Sequence, residues 1–360
     1  MNHIIKNLED LGYTQEFEQF RIQQKLADSE IARVIAEHKE RYIIQNAQGI
    51  FDAEITGNMR FSAQSRADFP AVGDWVACTP YDEHSAIIHQ ILPRFSVLKR
   101  QTVGHTSEVQ IIATNIDTAF LVQAIDRDFN LNRLERYLTI CYDSQIKPVI
   151  ILTKTDLKSA QEVTDMLNLV RQRIPDVPVI AISNETQTGY AAVTEQIQKG
   201  KTYCLLGSSG VGKSSLTNNL SGKNLMKTDV INQSTQRGKH VSTHREMFLL
   251  QNGGLLIDTP GMRAVGIADT ASGLETTFDQ ITDLAQHCRF KNCSHTMETG
   301  CAVLEALDNG ILDPSVYDHY MRLEREKVHF ESTVAEKRKK DKAFGKMIRQ
   351  HKKSRKNNKY

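Results

Sequence analysis

No apolar run in the 360-residue sequence approaches the ~20 residues that cross a bilayer, so a helical membrane span is not expected. The first residues, MNHIIKNLEDLGYTQEFEQF, meet acids within ten positions and lack an apolar core followed by a small-residue cleavage site, unlike a secretory leader. Both absences point to the cytoplasm. Net charge is also nearly absent, +2 from 45 basic and 43 acidic residues, but the balance conceals an asymmetry. Residues 337–360 hold 12 Lys/Arg against the single acid Asp341, leaving 33 against 42 in the rest of the chain. An acidic body thus carries a strongly basic tail. The hydrophobic content of 40% and charged content of 24% are ordinary for a globular protein, and the length suggests two or three domains.

Along the chain, residues 1–37 read as an N-terminal extension, with Leu8, Leu11, Phe17 and Phe20 at loosely helical spacing. Residues 38–100 change to short, partly alternating runs (YIIQNAQG, FDAEITG, AVGDWVAC, SAIIHQIL) broken by Gly, Asn, Pro and Asp. About five short strands suggest a small β-barrel, for which the OB-fold, a common oligonucleotide binder, is the best fit. From 101 to 270 strand and helix alternate: DTAFLVQAI, NLNRLERYLTICYD, KPVIILT, a charged helical stretch, VPVIAIS, TYCLLG. The uniformly apolar strands predict a parallel, doubly wound α/β sheet covered on both faces. Residues 271–330 read as mostly helical, and 331–360 as the basic tail.

Chemistry concentrates in the α/β part. Gly207, Ser208, Ser209, Gly210, Val211, Gly212, Lys213 and Ser214 match G-x-x-x-x-G-K-[ST] between the strand TYCLL and a helix that continues through Ser215. The glycines let backbone N–H groups wrap phosphate, Lys213 reaches the terminal phosphates, and the Ser214 hydroxyl suits Mg²⁺. Asp258, at the end of LLID and 45 residues after Lys213, completes the Mg²⁺ shell, and Gly261 lets a loop approach the γ-phosphate. Thr153, Lys154, Thr155 and Asp156 form a T-K-x-D sequence after a buried strand. The Asp156 carboxylate can accept from both the ring N–H and the exocyclic amine of guanine, whereas adenine presents an acceptor there. Ser183, in Ile182-Ser183-Asn184, is placed in the last base-contacting loop.

The order of these motifs is inverted relative to ordinary small GTPases, where the phosphate loop comes first. About 30 residues separate Asp258 from the cysteine cluster, too few for a second base-reading strand, so a circular permutation is expected.

The segments AVGDW, ILPR, NLNRLERYL, TKTD, GSSGVGKSSL, RGKH with THRE, IDTPGMR and the cysteine cluster together resemble the circularly permuted ribosome small-subunit-dependent GTPase A family over roughly residues 38–325. The resemblance implies an OB-fold, a permuted GTPase domain and a C-terminal zinc domain. It further implies a cytoplasmic GTP hydrolase that assists late maturation of the small ribosomal subunit in contact with its rRNA and other assembly factors. We expect a monomer. Where the family has a Thr-Thr-Thr run, this chain has Val241-Ser242-Thr243, which makes Thr243 the expected Mg²⁺-sensing residue and Ser242 the alternative.

A water-orienting Gln after the switch glycine is missing, its place taken by Met262, so intrinsic hydrolysis should be slow. His240, with His244 second, is the candidate to position water when a partner orders residues 237–246. Of six cysteines, Cys78, Cys141 and Cys204 stand alone, while Cys288, Cys293 and Cys301 with His295 supply three thiolates and an imidazole, a closed set for one structural Zn²⁺. The tail has the composition of an arm that condenses on phosphate backbone. Trp75 could stack on a base, but inside V-G-D-W-V it reads as core. Two other functions remain compatible with the residues, a P-loop ATPase or nucleotide kinase and a nucleotide-gated RNA-binding assembly module without significant catalysis.

Overall fold

The computed structural model describes residues 5–38, 41–101, 109–126, 129–222, 245–258 and 271–331. After a helix α1 (Gln15–Gln23), strands β1 (Glu30–His38), β2 (Arg41–Gln45) and β3 (Ile50–Ile55), helix α2 (Gly57–Ser62), and strands β4 (Trp75–Pro80) and β5 (Ser85–Ile91) build the first domain. The strand order β1-β2-β3-β5-β4 closes through β1–β4 pairing, so the five strands form a barrel of OB-fold type. Alternation along β3 sends Phe51, Ala53 and Ile55 inward, where they meet Val34, Tyr42, Ile44, Val76 and Ile88.

The barrel begins at Glu30, inside the stretch expected to be a helical extension. β1 was hard to see because it is covered on both faces: Ala32 and Val34 point into the barrel, while Ile31 joins a second core. Trp75 is fully buried, though outside the barrel, under Tyr13 and Phe17 of the N-terminal segment at ring separations of 5.0 and 5.8 Å. The N-terminal residues therefore cap the barrel's outer face. Arg33 secures the junction, donating to Gly73 O at 3.2 Å, to Leu11 O and to Asn115 O at 3.0 Å, with its guanidinium 5.4 Å over the Trp75 ring. Burial pushes its pKa down to about 10.

A hairpin of β6 (Val97–Gln101) and β7 (Val109–Thr114) leads into the second domain. There follow β8 (Thr118–Ala124), α3 (Leu131–Asp143), β9 (Lys147–Thr153), α4 (Ala160–Arg173), β10 (Val179–Ala181), α5 (Tyr190–Glu195), β11 (Thr202–Leu206), α6 (Lys213–Ser221), β12 (Arg245–Leu249) and β13 (Leu255–Asp258). The sheet order is β10-β9-β8-β11-β13-β12, with the first five strands parallel as the apolar runs predicted. β12 departs from that expectation: it runs antiparallel to β13 and pairs on its other side with β1, joining the barrel to the sheet.

Helices α7 (Ala271–Thr277), α8 (Asp279–Ala285), α9 (Ala302–Asp308) and α10 (Pro314–Glu331) form a third unit around Leu274, Phe278, Ile281, Val303, Leu312 and Leu323. It docks on α3 through polar groups. The Arg136 guanidinium forks onto Glu326 at 2.6 and 2.7 Å, and the Glu135 carboxylate accepts from Arg173 Nε at 2.5 Å and pairs with His319 Nδ1 at 2.6 Å. No described helix is long and apolar enough to cross a membrane.

Candidate nucleotide site and metal cluster

The parallel strands all end at one sheet edge, where ligands of open α/β folds bind. β9 delivers Thr153 to Asp156, the loop after β10 delivers Ser183 and Asn184, β11 feeds the phosphate loop, and β13 ends on Asp258. The parallel register of β11 and β13, Cys204 opposite Ile257, sets Asp258 beside the entry to the phosphate loop.

Two glycines of that loop have no steric substitute. A Cβ on Gly207 would lie 2.3 Å from Val122 O, and one on Gly212, at φ +92°, would lie 2.3 Å from Asn184 Nδ2. The sharp left-handed turn at Gly212 starts α6, whose first residues, Lys213, Ser214 and Ser215, are half-buried. The Lys213 ammonium donates to Gly207 O at 2.7 Å and Ser208 O at 2.5 Å, which holds its charge against the loop that would receive phosphate.

The residues expected to read the base are fastened to the same loop. Thr153 is fully buried and its hydroxyl donates to Val211 O at 2.7 Å, so it ties β9 directly to the phosphate loop. Lys154 takes a left-handed φ of 63°, and its ammonium pairs with Asp126 Oδ2 at 2.8 Å. Thr155 follows in a single turn with Asp156. Ser183 is buried and donates to Asp156 Oδ1 at 2.6 Å, while its oxygen accepts from Thr186 N at 3.1 Å. That pair of bonds fixes the direction of a carboxylate that is itself exposed.

Several residues without an expected role hold the site together. Asn184 donates to Gly212 O at 3.1 Å and accepts from the Tyr190 hydroxyl at 2.6 Å, and Asn219 donates to Tyr190 at 2.8 Å. Burial pushes the Tyr190 phenol up to about 12, so it stays a neutral donor. On α3, burial raises the Tyr137 phenol, an effect partly opposed by its hydrogen bond with Ser208 of the phosphate loop. Tyr190 and Asn219 belong to none of the segments quoted above, whereas Tyr137 lies within NLNRLERYL and Asn184 directly follows Ser183.

The four expected metal ligands come together. Cys288, Cys293, His295 and Cys301 offer ligand atoms that all lie within 4.8 Å of one another, a set that can hold a metal ion. Cys301 is the N-cap of α9 and accepts from Leu304 N at 3.5 Å. Burial would raise the Cys288 thiol, but the N–H groups of Val303 and Ala302 at the same helix start outweigh it and bring the thiol below its ordinary value, favouring thiolate. Burial lowers the His295 imidazole and keeps it neutral, the form that ligates metal. Tyr317 donates to His295 O at 2.6 Å and anchors the loop.

His240, Ser242, Thr243, His244, Gly261, Met262 and the basic tail lie outside the described residues.

A sequence profile of the RsgA GTPase family matches residues 91–268. The chain is 40% identical over 359 residues to the small ribosomal subunit biogenesis GTPase RsgA 1 of Bacteroides thetaiotaomicron, covering 99% of this chain and 100% of that protein. It is 42% identical to a protein of the same description from Listeria innocua, over 89% of each chain. Among solved structures, YjeQ from Thermotoga maritima superposes with a TM-score of 0.62 at 23% identity, over 83% of this chain and 98% of that one. YloQ, described as a circularly permuted GTPase, superposes with a TM-score of 0.60 at 24% identity, over 85% and 97%.

Proposed function

The chain belongs to the RsgA GTPase family, and on that premise we propose that it binds the small ribosomal subunit and its rRNA, assists the subunit's late maturation, and hydrolyses GTP faster when bound there. The observation that carries the nucleotide part of this reading is the Ser183–Asp156 bond of 2.6 Å, which ties the T-K-x-D carboxylate to the loop after β10. The names of the relatives from B. thetaiotaomicron and L. innocua supply the ribosomal part.

In this reading Gly207 to Ser215 receive the phosphates, Lys213 transfers its ammonium from its own loop carbonyls to the terminal phosphates, and Thr153 to Asp156 with Ser183 read the base. Ser214, in the first turn of α6, and Asp258, at the end of β13, are suited to hold Mg²⁺, with Thr243 as the third group. When bound, the ion neutralises charge on the β- and γ-phosphates. His240 positions the attacking water once the subunit orders its segment, and Gly261 follows the γ-phosphate. Zn²⁺ is the metal we assign to the Cys₃His set: separations of 3.4 to 3.8 Å between Cys288, His295 and Cys301 agree with the ~3.8 Å edge of a tetrahedron built on ~2.3 Å Zn–S bonds. Its role is to close the loop between α8 and α9. We place the protein in the cytoplasm as a monomer, with other assembly factors as further partners.

GTP turnover measured with and without purified small subunits, and GTP against ATP affinity for wild type and Asp156→Asn, test the proposal. Equal affinity for the two nucleotides, or turnover indifferent to subunits, would defeat it.

A further inference from the structure

Where the barrel meets the GTPase domain there is a cavity of about 160 Å³, room for roughly five waters at ~30 Å³ each. Its walls come from both domains: Glu37 of β1 and Tyr42 of β2, the barrel loop Arg66 to Ala71, Gln110 and Ile111 of β7, and Arg245 of β12. The cavity exists only while β1 and β12 are paired, Glu37 opposite Arg245.

Its charge is unbalanced. Arg245 donates to Ile111 O at 2.9 Å, and its nearest carboxylate among the described residues is Glu37, at 3.6 Å, longer than a hydrogen bond. The Arg245 side chain is largely buried, with Arg66 lining the same space. Burial raises the Glu37 carboxyl, and the nearby Asp74 carboxylate is held by Arg94. Arg66 is exposed, yet its loop is held independently of its side chain. Ser65 and Asp68 form a capping box, and Arg94 binds Ala67 O at 2.8 Å, Phe69 O at 2.9 Å and the Asp74 carboxylate. Tyr42, Phe69 and Pro70 supply an apolar wall.

Two guanidiniums facing one loosely paired carboxylate, in a half-enclosed space of this size, suit a tetrahedral anion with an apolar shoulder. We propose that this interdomain pocket seats one backbone phosphate of the bound RNA between Arg66 and Arg245, with Glu37 as the competing internal anion. The site is separate from the nucleotide edge of the sheet, and it rests on the proposed binding of ribosomal RNA. Because it needs both domains, the phosphate also fastens the barrel to the GTPase domain.

The residues give opposite signs on substitution. Arg66→Ala and Arg245→Gln remove a phosphate partner, whereas Glu37→Gln removes the competitor while keeping shape. The test is binding of full-length protein to purified small subunits in the presence of a non-hydrolysable GTP analogue, across a salt series. Circular dichroism melting and basal GTP turnover, which the pocket does not touch, establish that each variant is folded. Arg66→Ala should weaken binding about 5- to 20-fold at 0.1 M salt and reduce the log–log salt slope by about 0.9, one phosphate contact. Glu37→Gln should tighten binding about 3-fold or more. Inorganic phosphate at tens of millimolar, with ionic strength held constant, should compete with wild type more than with Arg66→Ala. If wild type binds while Arg66→Ala keeps its affinity and slope, or Glu37→Gln binds more weakly, the pocket assignment is overturned. Failure of wild type to bind subunits overturns the ribosomal reading and the pocket with it.

Discussion

Ser183→Ala isolates what holds the guanine-reading carboxylate in place. The substitution deletes one oxygen that donates to Asp156 Oδ1 at 2.6 Å and accepts from Thr186 N at 3.1 Å. Hydrogen bonds to charged groups contribute about 1.5–3 kcal/mol. Because Asp156 is exposed, the low end applies, and about 1.5 kcal/mol corresponds to a little over a tenfold loss of GTP affinity. The loss should be confined to the base. ATP, which gains nothing from the carboxylate, should bind as before, so the GTP/ATP ratio falls by the same tenfold. Hydrolysis of the bound GTP should be unchanged, because the phosphate loop is tied to β9 by Thr153 and to the last base loop by Asn184, not by Ser183. Isothermal titration with both nucleotides, followed by single-turnover hydrolysis at saturating GTP, measures the two effects separately. GTP affinity within twofold of wild type would refute the argument that Ser183 orients Asp156, and an equal loss for ATP would show a general collapse of the site.

Cys288→Ser should reduce bound zinc from one equivalent to near zero by atomic absorption and lower the melting temperature of the C-terminal helices, while GTP affinity stays near wild type. Glu135→Ala leaves Arg173 and His319 without their shared carboxylate in a buried junction, a change that costs about 3–5 kcal/mol, so protease should release the C-terminal unit far faster. With small subunits present, His240→Ala should slow single-turnover GTP hydrolysis at least tenfold without altering GTP affinity, and an unchanged rate would remove its assignment. Deleting residues 337–360 should weaken subunit binding and flatten its salt dependence, since twelve basic residues are lost with one acid. Equal affinity and equal slope would leave the tail without a role in binding.

Local features were legible in the chain because their spacing is the chemistry. G-x-x-x-x-G-K-S between a buried strand and a helix permits little else, and three cysteines with a histidine in fourteen residues already specify a closed tetrahedral set. The inverted motif order was equally visible, since it needs only the sequence positions. β1 was missed because a strand buried on both faces loses the alternation that marks its neighbours β2 and β3. The antiparallel β12 was missed because a five-residue strand with charged residues at its start carries little pattern at all.

What the sequence by itself determined is therefore the inventory and order of candidate groups: the phosphate-loop motif, the T-K-x-D carboxylate, the acid at the end of LLID and the Cys₃His cluster. How those groups are held was decided only in three dimensions. Thr153 reaches Val211 across 58 residues, Arg33 reaches Asn115 across 82, and Glu135 meets His319 across 184. No repeat or local periodicity links such partners. Each pairing arises because burial obliges a polar group to find a partner within the protein, and which partner stands there depends on how the barrel, the sheet and the helical unit pack together.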